Sequence, residues 1–257
     1  MSALPDAGPA TAEGRRVDLR WDGPVAHVVI GGGVHRNALR REDWTALRAV
    51  FTRIIAAPGT RCVTVRGRGG HFCSGSDLTS WAGADQATVH ATFAEMEEAF
   101  RAVERCPVPV VAVVEGAAAG AGCQLALACD LRVVTEDSSL GMPTAALGIL
   151  PSPAFAARLV ALAGTGRARE LLYTGRMVPG REAADRGLAE VCVPAEELAG
   201  AVTALVGAIV VRPPEVVAAS KAVVDGLSPV ARADVRAAGA PTVVHAVMQR
   251  ALARYAR

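Results

Sequence analysis

The feature that most constrains this chain is a β-branched run that passes directly into a glycine-rich turn and then into a small-residue helix. The run extends from Pro109 to Val114, the turn carries Gly116, Gly120 and Gly122, and the helix continues through Ala128. A strand that enters a helix through such a turn leaves backbone N–H groups at the helix start without intrahelical partners. This corner is therefore predicted to offer amide donors to a ligand oxygen.

A second corner of the same kind follows the predicted buried strand from Cys62 to Arg66. There a glycine-rich run over residues 67–70 leads into the sequence GHFCSGSDL at residues 70–78. Each corner alone is a weak signal, because glycine-rich turns are commonly only turns. Two amides that converge on one oxygen would form an oxyanion hole. Phosphate binding is disfavoured, because neither corner matches GxxxxGK[ST] or GxGxxG.

The order of the predicted elements indicates an α/β domain. Strands are predicted at 17–21, 25–30, 62–66, 109–114 and 131–135, and helices at 43–57, 86–105 and 123–128. From residue 153 onward the pattern is almost wholly helical. Strands with crossover helices, followed by a helical tail, predict an α/β core with a helical appendage.

Composition is typical of one large globular domain. The chain has 257 residues, of which 51% are hydrophobic and 20% charged, and its formal net charge is +2. These values exclude disorder, collagen and a coiled rod, and the scattering of the basic residues among the acids disfavours nucleic-acid binding. The six cysteines lack metal-type spacing, and we find neither a signal core nor an uninterrupted run of about 18 apolar residues. We therefore expect a cytoplasmic protein with no membrane partner and no metal.

Several ordered motifs resemble the crotonase, or enoyl-CoA hydratase/isomerase, superfamily over roughly residues 17–224. They are HRNAL at 35–39, GHFCSGSDL at 70–78, VEGAAAGAGCQLALACDLRVV at 114–134, PTAALGILP at 143–151, GRARELLYTGR at 166–176, AADRGLAEVCVP at 183–194 and the helix that carries Lys221. The resemblance implies a crotonase-type ββα spiral core at 16–195, after a flexible N-terminus at 1–15. A C-terminal helical trimerisation region would occupy 196–257, although the last thirty residues depart from the family's closing pattern, and the assembly would be a homotrimer or a dimer of trimers.

The resemblance also implies where a substrate binds. The backbone amides of Ser76 and Ala121 would bind the thioester carbonyl of an acyl-CoA or of an acyl group on a carrier protein, and the coenzyme A moiety would be the only cofactor. Losing one oxyanion donor typically costs about 3 to 4 kcal/mol in the transition state. The residues expected to line the substrate site are His35, Arg36, Gly75, Asp77, Trp81, Gly120 and Phe155. Of these, Asp77 is expected to act mainly in the structure of the turn, and core packing is an alternative role for Trp81.

The acid and base positions of the family are not ionisable here. Gln124 and Thr144 stand where the family's hydratases hold a water between two glutamates, and Ser152 stands where several isomerases, dehalogenases and C–C bond-forming members have an aspartate. None of the three titrates near neutral pH. Because a general acid or base contributes about 10² to 10⁴ in rate, we expect ordinary enoyl-CoA hydration to be absent.

Two kinds of function therefore stay open. As an enzyme, the chain would stabilise a thioester enolate in an isomerisation, a decarboxylation or a thioester hydrolysis. As a non-catalytic acyl-CoA binding protein or auxiliary subunit, it would keep the oxyanion hole for affinity alone, which the three missing carboxylates favour.

Five further side chains have a functional and a simpler interpretation. His71 lies either near the CoA phosphates or on the solvated surface. His90 and Glu95 on the amphipathic helix could supply a substitute base, although an exposed helical face is favoured. For Cys73, as for Cys123, inert packing is favoured over nucleophilic catalysis, because no histidine partner is apparent in the sequence.

Overall fold

The structure is a computed structural model that describes residues 16–32, 35–227 and 243–255. In chain order its elements are β1 (Val17–Asp22), β2 (Val25–Ile30), α1 (Arg41–Ala56), β3 (Cys62–Gly67), α2 (Gln86–Glu104), β4 (Val110–Val114), β5 (Ala117–Ala119), α3 (Ala121–Ala128), β6 (Leu131–Thr135), β7 (Ser139–Gly141), α4 (Pro153–Thr174), β8 (Met177–Pro179), α5 (Gly180–Asp185), β9 (Val191–Val193), α6 (Leu198–Val210), α7 (Pro214–Leu227) and α8 (His245–Tyr255). Short 3-10 helices lie at 35–37, 78–81, 145–147 and 195–197. The predicted flexible segment 1–15 lies outside the described residues.

Two sheets organise the core. The larger has the strand order β1-β2-β3-β4-β6-β9, in which β1 and β2 form an antiparallel hairpin and the other neighbours are parallel. The smaller sheet has the order β5-β7-β8. All five residues of β4 are buried, as expected for a parallel strand that is covered on both faces. The predicted α/β class is confirmed.

The prediction of an almost wholly helical second half is wrong at two places. β8 pairs antiparallel with β7, and β9 extends the larger sheet beside β6. Each is only three residues long, which is too short for the alternation of apolar and polar residues by which a strand is recognised in sequence. Pairing with a neighbouring strand, rather than local pattern, makes these segments extended.

Helices cover both faces of the larger sheet. On one face α1 and α2 pack together, with the Trp44 ring edge-on to Phe100 at a centroid distance of 5.5 Å. On the other face α6 packs Leu198, Val202 and Val206 against the strands. No single helix in the described part of the chain has the length and hydropathy of a membrane span, whereas the bent pair Ala195–Val210 and Pro214–Leu227, at 103°, meets those criteria jointly by length and composition only.

The last two helices are attached to the core by different means. Lys221 of α7 forms a buried ion pair with Asp130, which also accepts a hydrogen bond from Val110 N at 2.7 Å. Burial raises the pKa of Asp130, against the opposing effect of Lys221. α8 returns to the core, where its Gln249 side chain donates to the carbonyl oxygens of Trp81 and Ala84, both at 3.1 Å. The C-terminal helical region therefore includes a helix that packs on its own chain.

A buried histidine in the larger sheet makes stability depend on pH. His27 of β2 lies opposite Thr64 of β3, and its Nδ1 is 2.7 Å from Thr64 Oγ1. Burial lowers the pKa of His27 below its usual value of 6.5, although Asp22 partly opposes that effect. The unfolded chain therefore binds a proton at a higher pH than the folded chain does.

We predict that the melting temperature falls as the pH is lowered from about 7.5 to 5, through the ordinary histidine range. Stability from His27 is present above the unfolded pKa and is lost as the pH falls towards the folded pKa. His27→Gln, which can keep the hydrogen bond to Thr64, should flatten this part of the profile. His90→Gln on the surface of α2 is the control and should leave the slope unchanged; an equal slope in all three proteins would contradict the prediction.

Candidate functional site

The two glycine corners lie side by side because the chain just before them pairs as parallel strands. Cys73 N donates to Ala117 O and Ala119 N donates to Cys73 O, both at 2.9 Å, which forms a parallel bridge between Cys73 and Ala118. Ser76 and Ala121 each lie three residues beyond that pair. The pairing therefore carries both predicted residues to the same end of the two segments.

Glycine at both corners permits their close approach. Gly75 has φ 100°, and a Cβ at this position would lie 2.9 Å from Ala119 O and 3.1 Å from Ala121 N. A Cβ at Gly122 would overlap the carbonyl group of Cys73. Gly120, with φ 55°, makes the turn into α3. Any larger residue at Gly75 would be strained and would also push the second corner away.

The amides of Ser76 and Ala121 are free to act as donors. Ala121 is the first residue of α3, so its N–H group has no intrahelical carbonyl partner. The Ser76 N–H group takes no part in the parallel bridge to Leu39. In that bridge Leu39 N donates to Gly75 O and Asp77 N donates to Leu39 O, both at 2.8 Å. Within the described residues neither amide donates a hydrogen bond. The arrangement supplies two adjacent donors, while their assignment to a substrate oxygen stays a prediction.

The three non-ionisable positions differ in where they lie relative to this pair of amides. Gln124 is on α3, one turn after Ala121, and is only 7% exposed; its backbone N–H donates to Gly120 O at 3.0 Å, and its side chain makes no hydrogen bond among the described residues. Thr144 lies beside the same corner, since its Cγ2 is 3.8 Å from the Cβ position of Gly120. Ser152 caps α4 by accepting a hydrogen bond from Phe155 N at 3.1 Å. Gln124 and Thr144 are thus brought to the α3 corner, and Ser152 faces α2 instead.

The α2 residues that meet this region were not singled out from the sequence. Met96 Sδ accepts a hydrogen bond from Ser76 Oγ at 2.8 Å. Glu97 Oε2 accepts one from Ser152 Oγ at 3.3 Å, and Glu97 Oε1 accepts one from Arg158 Nη2 at 3.1 Å. Met96 and Glu97 are adjacent on the helix and have different partners, so they form no recognisable sequence motif. The hydrophobic periodicity of α2 was the only feature of the sequence that pointed to this helix.

The residues at the first turn of the site are exposed and are held by backbone contacts. His35 and Arg36 have positive φ values of 49° and 51°, and their carbonyl oxygens accept hydrogen bonds from the Ser74 hydroxyl and amide at 2.8 and 2.9 Å. The next residue, Asn37, is fully buried, and its Nδ2 donates to Arg68 O at 2.8 Å and His71 O at 2.7 Å. Asn37 therefore ties this turn to the first glycine corner.

Three of the predicted lining residues have structural partners. Asp77 caps the 3-10 helix at 78–81 and pairs with Arg40; burial alone would raise the pKa of Asp77, but the hydrogen bonds from Thr79 and Arg40 outweigh it and lower that pKa. Trp81 is 2% exposed and packs on Phe93 at a centroid distance of 5.2 Å. Phe155 is fully buried.

Phe155 faces a small apolar cavity beneath α3 rather than the amide pair. The residues that line this cavity are apolar apart from its backbone atoms; they are Cys123, Leu127, Leu140, Gly141, Met142, Phe155, Leu159, Leu171 and Leu188. Neither Ser76 nor Ala121 belongs to this lining. Cys123 contributes to it, and burial raises the pKa of its thiol to about 12, so a thiolate is not available there at neutral pH.

The other side chains considered from the sequence point away from the amide pair or are inert. Glu95 accepts a hydrogen bond from Thr45 Oγ1 at 3.1 Å and links α2 to α1, and His71 Nδ1 accepts one from Ala117 N at 3.4 Å. His71 thus packs on the second corner, which neither of its two predicted roles included. Burial raises the pKa of the Cys73 thiol to about 12. No group of three His, Cys, Asp or Glu side chains in the described part of the chain could hold a metal ion.

Comparison with known proteins identifies the family of the chain. The profile of the family described as Enoyl-CoA hydratase/isomerase matches residues 23–251. A putative enoyl-CoA hydratase/isomerase from Bacillus subtilis is 39% identical over 184 residues, which cover 68% of this chain and 70% of that protein. A probable mitochondrial enoyl-CoA hydratase from Arabidopsis thaliana is 34% identical over 177 residues, 68% of this chain, and the match spans only 59% of the length of the Arabidopsis protein.

A solved structure gives the same result for the fold. The crystal structure of an enoyl-CoA hydratase from Bacillus anthracis superimposes with a TM-score of 0.78 at 32% sequence identity, covering 81% of this chain and 82% of that one. The ββα core, the family profile and the relatives agree. The chain therefore belongs to the enoyl-CoA hydratase/isomerase, or crotonase, family.

Proposed function

We propose that the chain binds an acyl-CoA, or an acyl group on a carrier protein, with the thioester carbonyl oxygen between the amides of Ser76 and Ala121. The supporting observation is the adjacency, at paired glycine corners, of two N–H groups that donate to no other described residue. Such donors stabilise the negative charge that develops on the oxygen when a thioester becomes an enolate. The dipole of α3 adds to this effect at Ala121.

Replacing Ala121 with proline tests the proposal directly. Ala121 is the first residue of α3, where proline is tolerated because that N–H group has no helical partner. Ala121→Pro should therefore fold but lose one donor, and binding of butyryl-CoA should weaken about 5-fold or more, as expected for a hydrogen bond of about 1 kcal/mol. Isothermal titration calorimetry measures the change.

The matched control is Gln86→Pro, which places proline at the first residue of α2 and should leave butyryl-CoA affinity unchanged. The thioether S-butyl-CoA, which has no carbonyl oxygen, should bind the natural chain more weakly than butyryl-CoA and should bind Ala121→Pro about as well as it binds the natural chain. Equal affinity of the natural chain for the thioester and the thioether would overturn the carbonyl assignment.

We propose further that the chemistry is not ordinary hydration. Gln124 and Thr144 can hydrogen-bond a water molecule but cannot exchange protons with it efficiently. An enzyme of this kind would carry out enolate chemistry by isomerisation, decarboxylation or thioester hydrolysis. A non-catalytic acyl-CoA binding protein or auxiliary subunit is the second candidate, which the side chains of Gln124, Thr144 and Ser152 favour.

Restoring both glutamates tests the position of the water. The double variant Gln124→Glu and Thr144→Glu should hydrate crotonyl-CoA, with a rate at least about 10²-fold above that of the natural chain. Loss of the absorbance of the conjugated thioester follows the reaction. The double variant Gln124→Asn and Thr144→Ser is the control for altered side-chain size. If the glutamate variant binds crotonyl-CoA but stays inert, the assignment of these two positions is wrong.

We also propose that the protein is a homotrimer or a dimer of trimers in the cytoplasm. The free thiols of all six cysteines are in keeping with a reducing compartment. α7 supports the assembly, because Val216, Val223, Val224 and Leu227 are 56 to 80% exposed, which is a larger apolar surface than a single helix normally leaves in water.

Charged residues on that surface should dissociate the assembly. Val223→Asp with Val224→Asp is expected to shift the mass measured by light scattering from three or six chains to one. Ala222→Asp, an exposed position on a different face of the same helix, controls for the added charge. A natural chain that is monomeric at micromolar concentration would contradict the proposal.

A further inference from the structure

An acidic side chain contacts one of the three family positions, although it occupies none of them. Glu97 of α2 is the described carboxylate that hydrogen-bonds to one of the residues Gln124, Thr144 and Ser152, through the 3.3 Å contact between its Oε2 and Ser152 Oγ. It follows Met96, which contacts the Ser76 hydroxyl. α2 therefore spans from the first oxyanion residue to Ser152.

A second segment joins the α3 corner to Ser152. Thr144 lies beside Gly120 at the start of α3, and the segment from Thr144 leads through the 3-10 helix 145–147 to Ser152 at the start of α4. Glu97 meets the end of this segment. Glu97 of α2 thus adds a carboxylate next to Ser152, whereas the side chains of Gln124, Thr144 and Ser152 themselves carry only amide and hydroxyl groups.

Arg158 fixes Glu97 without neutralising it fully. The Arg158 side chain is 3% exposed, and it binds Glu104 with two hydrogen bonds, Nε to Oε1 at 2.5 Å and Nη2 to Oε2 at 2.9 Å. Glu97 accepts a single bond from the same guanidinium group, at 3.1 Å. Two carboxylates therefore pair with one guanidinium group. The bidentate pair with Glu104 is stronger than the single hydrogen bond to Glu97.

Glu97 is also more accessible than the arginine that holds it. Its side chain is 19% exposed, against the nearly complete burial of Arg158, and its Oε2 contacts only the hydroxyl of Ser152 among the described residues. Ser152 is in turn fixed by its hydrogen bond from Phe155 N. The carboxylate is therefore held in a defined orientation and still has an oxygen that a bound ligand can approach.

We infer that Glu97 is the general base and acid of this site, with Ser152 as the positioning residue that holds its carboxylate. This inference rests on the proposed function and deepens it. The Glu97 carboxylate would remove a proton from the α-carbon of an acyl-CoA, the C–H bonding electrons would become an enolate held at the amides of Ser76 and Ala121, and protonated Glu97 would return the proton to carbon. One carboxylate that moves one proton between carbons balances an isomerisation and needs no oxidant or second acid.

The test uses but-3-enoyl-CoA in deuterium oxide, with affinity measured by calorimetry and deuterium uptake and crotonyl-CoA formation measured by mass spectrometry and absorbance. Glu97→Gln keeps the hydrogen-bonding shape but cannot accept a proton as the carboxylate does, so exchange and isomerisation should both fall about 10²-fold or more. The affinity should stay within about 3-fold. Glu98→Gln removes a neighbouring acid of α2 that is paired with Arg101 and should leave both rates unchanged.

Ser152 supplies an independent variant in case Glu97→Gln does not fold. Ser152→Ala should lower the exchange rate about 10-fold without changing affinity, and Ser152→Thr, which can cap α4 and hold Glu97, should restore it. A residue that served only the stability of α4 would not produce a change in rate at constant affinity.

The possible outcomes distinguish a failure of the role of Glu97 from a failure of the proposed thioester binding. Exchange that persists in Glu97→Gln would overturn the role of Glu97 and leave thioester binding intact. Tight binding by the natural chain with neither exchange nor isomerisation would also overturn it, in favour of the non-catalytic function. Absence of binding would remove the proposed function itself.

Discussion

The parallel pairing of Cys73 with Ala118 is the interaction on which the candidate site depends. Its two backbone hydrogen bonds join segments more than forty residues apart in sequence, and both segments continue for three residues to a predicted oxyanion donor. Without this pairing each glycine corner would be an ordinary turn. With it, the amides of Ser76 and Ala121 lie at the same end of two adjacent strands, in a fixed relation that no side chain has to maintain.

Sterics at the same corners explain why so many of the residues there are small. The backbone at Gly75 approaches α3 so closely that a Cβ would press on Ala119 and Ala121, and Gly122 permits the matching approach to Cys73. Asn37, buried in a left-handed conformation, then fixes the first corner through its hydrogen bonds to the carbonyl oxygens of Arg68 and His71. The site is therefore built mainly from backbone geometry, and its side chains are free to differ from those of the hydratases.

The small role of side chains in holding the two amides matters for the proposed reaction. If the two amides bind a thioester as proposed, they would polarise it whatever stands at Gln124 and Thr144. Under that proposal the carboxylate that moves protons would come from another position, and among the described residues α2 carries Glu97, which Arg158 holds together with Glu104. Such a buried group of charges is costly unless its members are paired and hydrogen-bonded, which the contacts of Arg158 largely achieve.

The hydrophobic periodicity and the glycine positions determined much of this protein from the sequence alone. The β-branched runs predicted five of the six strands of the larger sheet to within a residue or two, and the ordered motifs indicated the family, which the profile and the relatives confirm. These features are local, because strand and helix patterns repeat within a few residues. Only the tertiary structure decided the three-residue strands β8 and β9, the packing of α8 on its own chain, the structural partners of Asp77 and Trp81, and the meeting of Glu97 with Ser152. Each of these depends on a contact between residues far apart in the chain, and no pattern within either segment encodes which partner it will meet.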